Sequence, residues 1–172
     1  MRYAQYVAEN DPDIIQEVQR RYLEQTGALK RLDFVPLATV GEKIFPFSLL
    51  LVTPIYWMMK MSGEVVRPGG LLQFTDYYPV WVHPEHGVIA EINKLSVKYY
   101  ARYADGIVLS TSNNANSLVV SPDHGLVGKA VDGTLETAWS QQLHRMGEQR
   151  VQGGQQVPLR TFEDFVKVSR LQ

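Results

Sequence analysis

The stretch 95–109 constrains the fold more than any other part of the chain. In LSVKYYARY, positions 95, 97, 99, 101 and 103 are Leu, Val, Tyr, Ala and Tyr, while 96, 98 and 102 are Ser, Lys and Arg. A period of two places successive side chains on opposite faces, so this segment reads as a half-buried strand. Ala104-Asp105-Gly106 follows, and a three-residue loop ending in glycine is the type I turn plus bulge that closes a hairpin. With Tyr103 opposite Ile107, Ala101 faces Leu109 and Tyr99 faces Thr111, which puts the apolar residues of both strands on one side. Upstream, Tyr78, Val80 and Val82 alternate before the turn His83-Pro84-Glu85-His86-Gly87 and make a third strand of the same meander.

Helical signals flank the meander. Asp11-Pro12-Asp13 supplies a cap, an early proline and an acid near the positive end of the dipole, so 11–27 reads as a helix ended by Gly27. Ile14, Ile15, Val18, Tyr22 and Leu23 would form its buried stripe. The segment 32–40, LDFVPLATV, has strand composition with a proline inside, which implies an edge strand or a bulged one. After Gly128, Asp132 or Thr134 can cap a helix whose stripe is Leu135, Trp139, Leu143 and Met146, with Gly147 as its end. Residues 149–158 read as a Gln/Gly-rich linker, and Thr161-Phe162-Glu163-Asp164 resembles a variant capping box opening a short helix. The resulting fold class is α+β: an antiparallel sheet, with a hairpin meander at about 74–120, packed against N-terminal and C-terminal helices. Residues 1–148 form one domain on this reading, and 149–172 a linker plus a short helix that docks on the domain or on a partner.

The run 44–59, IFPFSLLLVTPIYWMM, is sixteen residues without a charge between Lys43 and Lys60. A spanning helix needs about 20 such residues, and Pro46 and Pro54 would cost it backbone hydrogen bonds. The bland reading is two buried core strands, or a strand and a short helix split near Pro54. The alternatives are a short interfacial or re-entrant segment, with Tyr56 and Trp57 at headgroup level and the lysines snorkelling, and a partner-binding surface.

Charge and composition exclude several classes. Lys plus Arg number 17 against 18 Asp plus Glu, so the net field offers nothing to a phosphate backbone and nucleic acid is not an expected partner. With no cysteine, thiolate nucleophiles and Cys-based metal sites are excluded. No apolar run opens the chain, so the default location is cytoplasmic, peripheral to a membrane if 44–59 meets lipid. No phosphate-cradling loop, dinucleotide-binding glycine cluster or hydrolase signature occurs. Thr111-Ser112-Asn113-Asn114 reads as a strand running out into a polar turn.

The four histidines are His83, His86, His124 and His144. Pro84-Glu85-His86-Gly87 and Pro122-Asp123-His124-Gly125 repeat one pattern, proline, acid, histidine, glycine. Backbone demands alone explain it, since proline presets one turn position and glycine takes the left-handed one. Continuing the hairpin register outward would set His86 against His124. With His83, Glu85 and Asp123 nearby, that group offers the nitrogen and oxygen ligands that zinc, manganese or iron accept. No other cofactor is expected. His144 stands at the edge of the last long helix's stripe, as a boundary residue or a dipole partner.

Three functions follow as expectations. The first is a non-catalytic domain binding a protein partner or a small apolar ligand, through the aromatic residues Tyr56, Trp57, Tyr78, Trp81, Tyr99 and Tyr103. The second is a metal-binding domain or metal-assisted hydrolase built on the two acid-histidine turns. The third is a membrane-associated accessory subunit held by 44–59.

Overall fold

The computed structural model describes residues 5–44, 49–61, 65–68, 74–93, 96–114 and 125–171. Strands β1 (Gln5–Ala8), β2 (Val35–Ile44), β3 (Val65–Pro68), β4 (Phe74–His83), β5 (Val88–Ile92), β6 (Val97–Tyr103), β7 (Val108–Ser112), β8 (Leu126–Ala130) and β9 (Gln156–Val157) form one sheet. Helices are α1 (Pro12–Arg21), α2 (Leu23–Arg31), α3 (Leu49–Met61), α4 (Leu135–Val151) and α5 (Phe162–Ser169). The order β1-β2-β4-β5-β6-β7-β8 is antiparallel except at β7–β8; β3 also pairs with β4, and β9 with β6. The chain is thus an α+β protein, with a mostly antiparallel sheet carrying helices on both faces.

The hairpin register is as the alternation requires: Ala101 pairs with Leu109, Tyr99 with Thr111, and the Tyr103 N–H donates to the Ile107 carbonyl at 2.8 Å. Burial departs from the pattern, because β6 is covered on both sides and Lys98 is buried with its neighbours. Lys98 pairs across the ladder with Glu91 on β5, Nζ to Oε1 3.9 Å, and the Tyr100 hydroxyl donates to the other Glu91 oxygen at 2.9 Å. An opposite charge on the same face is what permits a lysine there.

The long ladder that would carry the register out to both acid-histidine turns does not form. The chain reverses between β5 and β6, where Asn93 Oδ1 accepts from the Ser96 N–H and hydroxyl, both at 2.9 Å. Downstream, β8 pairs parallel to β7, so these two strands do not form a hairpin; Pro122, Asp123 and His124 lie outside the described residues.

Helix boundaries differ from expectation for local reasons. Tyr22, at φ −106° and ψ 26°, separates α1 from α2, yet the Tyr22 N–H still reaches Val18 O and the Thr26 N–H reaches Tyr22 O. The chain therefore passes Gly27 and stops after Arg31, where Asp33 takes φ 62°; Asp tolerates that left-handed conformation. Helix α4, capped by Thr134, likewise runs through Gly147 to Val151. One interior glycine costs about 1 kcal/mol relative to alanine, too little to end a helix anchored by buried Trp139, Gln142 and Met146. Pro36 lies before the stretch of β2 that pairs with β1, residues 40–43, and beside a register shift between Pro36 and Ala38 in the pairing with β4.

Alternation along β4 sends Trp81 and His83 to one face and Tyr78, Val80 and Val82 to the other. On the first face Lys30 of α2 lies 5.9 Å over the Trp81 ring and Trp139 of α4 packs on Tyr99. Arg145 ties α4 down, donating to Ser110 O at 2.6 Å, Thr111 Oγ1 at 3.0 Å and Val127 O at 2.7 Å. On the second face Phe165 of α5 meets Tyr6 and Tyr78 edge-on. Helix α5 opens with a complete capping box between Thr161 and Asp164, and the expected linker pairs with the sheet through β9.

Candidate docking surface

Helix α3 carries LLLVTPIYWMMKM, with Lys60 its one charge. A helix that is apolar on every side belongs in a core or in lipid. Its main packing partner among the described elements is β3, and where its side chains are described it faces outward. Trp57 is 53% exposed, Met58 60% and Met61 79%; Pro54 is exposed, while Tyr56 and Met59 are half-buried. The expected split at Pro54 does not occur, because the helix runs through it. Pro54 lacks an N–H, so it removes one hydrogen bond without forcing a break in a segment with few helix-breaking neighbours. Nor is its described part, Pro54 and residues 56–61, interior, as the core-strand reading required. Thirteen residues make about 20 Å of helix against a hydrocarbon thickness of about 30 Å. Among the described residues no helix is long and apolar enough to cross a membrane.

Beside the end of α3 lies a cleft of about 430 Å³ with Val65 and Val66 of β3 in its wall. Arg20 and Arg21 of α1, Lys60 of α3 and Arg67 of β3 also line it, and Glu17 is the one acid among its described lining residues. Glu17 accepts from the Arg67 guanidinium at 2.5 Å, so the one carboxylate among the described lining residues is already engaged. Lys60 joins cleft to helix: its Nζ stands 5.8 Å over the Tyr56 ring and 5.6 Å over the Trp57 ring, within cation–π range.

The other expected surface aromatics are core residues. Tyr78, Trp81, Tyr99 and Tyr103 are all buried, since both sheet faces carry helices. Burial raises the Tyr78 phenol well above its ordinary pKa, with Glu91 and Glu42 adding to the effect. Only Tyr56 and Trp57 of that set reach the surface.

The acid-histidine turn is a packing unit. His83 is buried, stacked on Trp139 with centroids 5.3 Å apart and planes 19° apart, and met edge-on by Phe34 at 5.1 Å. Its Nδ1 accepts the His86 N–H at 3.3 Å, which places that lone pair out of a metal's reach. His86 is half-buried against His83 and Trp139, and Glu85 is exposed. Gly87, at φ 58°, closes the turn against the C-terminal segment, where a Cβ would stand 2.7 Å from Pro158 Cα. His124 and Asp123 lie outside the described residues; among those described, no three His, Asp or Glu side chains gather to hold a metal. His144 is exposed and pairs with Glu148 at 3.3 Å.

Sequence reading missed the cleft. Nothing in the order of the chain connects Arg20 and Arg21 to Lys60 and Arg67. The one available signal was Lys60 directly after an aromatic and methionine run.

Compared with known protein families, curated proteins and solved structures, the chain matches none.

Proposed function

We propose that this protein is a non-catalytic binding domain that docks on a membrane surface, with α3 lying in the interface. The observation that carries the reading is the exposure of Trp57, Met58 and Met61 on a helix with a single charge. Water is a poor solvent for such a patch, and exposed apolar surface of this kind marks an interaction site. Lipid suits it better than a flat protein face for two reasons. Trp57, Met58 and Met61 stand exposed close together on one helix, and acyl chains and headgroups can cover such a patch without a matching protein surface. Tyr56 and Trp57 beneath Lys60 also reproduce the belt arrangement, aromatic rings at headgroup level with a snorkelling lysine.

Flotation of the full chain with phosphatidylcholine vesicles tests the reading. The wild type is expected to float with the vesicles, and Trp57→Ser/Met58→Ser/Met61→Ser to partition about 10-fold or more weakly, given about 1.5–3 kcal/mol for each such side chain fully buried. A wild type that stays at the bottom of the gradient, or a triple variant that floats equally well, overturns it.

A further inference from the structure

We propose that the cleft between α1, α3 and β3 is a headgroup site for anionic phospholipid, in which Arg20, Arg21, Arg67 and Lys60 receive the phosphate and any neighbouring carboxylate. The inference rests on the membrane-docking reading and adds to it a choice of lipid.

Three observations meet at one place. Among the described residues the cleft's charged lining is four cations to one carboxylate, and that carboxylate is bound by Arg67. Its volume, about 430 Å³, falls in the range of small-ligand sites and admits a headgroup. Its position is the third. Lys60 lines the cleft while standing over the rings of Tyr56 and Trp57, so when those rings lie at the headgroup layer the cleft opens at the depth where lipid phosphates stand. The whole chain carries a formal net charge of −1, so attraction to an anionic surface must come from this local concentration of charge. Arginine is suited to the task, because its planar fork holds a phosphate through two parallel hydrogen bonds.

The experiment compares phosphatidylcholine vesicles with and without phosphatidylserine, using the wild type and Arg20→Gln/Arg67→Gln, each shown by circular dichroism to be folded. Each basic side chain near an anionic surface contributes about 5-fold in binding, so the double variant is expected to lose about 25-fold on the anionic vesicles. Binding to pure phosphatidylcholine, which relies on α3, should stay unchanged. Equal wild-type binding to both vesicle types, or an undiminished preference in the variant, overturns the headgroup site and leaves α3 docking intact. Failure of the wild type on both vesicle types overturns the docking reading and this inference with it. Calorimetry with inorganic phosphate identifies the source of the anion: micromolar binding without vesicles assigns the cleft to a free anion and overturns the lipid proposal.

Discussion

His83 is buried, stacked on Trp139 and met edge-on by Phe34. Burial lowers its pKa below the ordinary value of 6.5, and the neighbouring His86 acts in the same direction, against Glu85 and Asp33. Protonation would place hydrogen on Nδ1, which now accepts the His86 N–H. The unfolded chain therefore takes up this proton at higher pH than the folded one. Stability from His83 is fully present above about pH 6.5 and falls as pH drops from there toward the lowered folded-state value. Denaturant midpoints measured from pH 8 to pH 5 should decline across the acid half of that range. A His83→Phe variant, which keeps the ring stack and cannot titrate, should show a weaker decline. An equal decline in both would assign the effect to other groups.

Among elements, α5 and the strand before it show how a short segment becomes essential. Eight residues are marginal as an isolated helix, yet Phe165, Val168 and Leu159 are almost completely buried. Leu159 donates its N–H to the Gly87 carbonyl at 3.0 Å, which joins this segment to the acid-histidine turn. At about 1.5–3 kcal/mol for each buried apolar side chain, the three together approach the about 5–15 kcal/mol that stabilises a typical domain. A chain ending at Gln152 is therefore expected to lose cooperative thermal unfolding and to bind a hydrophobic dye. Cooperative unfolding at the full-length temperature would show that the second sheet face is held without α5. Helix α3 is the opposite case, since it is longer and more apolar than α5 and yet places Trp57, Met58 and Met61 outside.

For the whole molecule, charge distribution matters more than total charge. A net charge of −1 gives no long-range attraction to an anionic bilayer, whereas the cleft beside α3 collects cations from α1, α3 and β3. In the proposed docking through α3, that cleft would face the surface. Exposed charges are screened beyond about 10 Å at 0.1 M salt and about 3 Å at 1 M. Raising salt between these limits should remove most of the extra binding to phosphatidylserine vesicles while leaving binding to pure phosphatidylcholine intact or slightly stronger. A parallel loss on both vesicle types would mean that α3 contributes no apolar attachment.

Much of the sheet was legible in the order of residues, because strand alternation and turn chemistry are local. Tyr99, Ala101 and Tyr103 with Ala104-Asp105-Gly106 determine a hairpin and its register, and Thr161 with Asp164 determines where α5 begins. The uncharged run 44–59 likewise announced an unusual segment, though not its helical course through Pro54. Tertiary structure alone decided the rest. Lys98 looked exposed until Glu91 arrived from β5, and the long ladder expected to link the two acid-histidine turns is replaced by the reversal at Asn93 and Ser96 and the parallel return of β8. Arg20, Arg21, Lys60 and Arg67 became one cleft only because α1, α3 and β3 pack together. Local chemistry governs which elements form. Which face of each is covered, and which charges meet, depends on contacts between residues far apart in the chain, where spacing carries no signal.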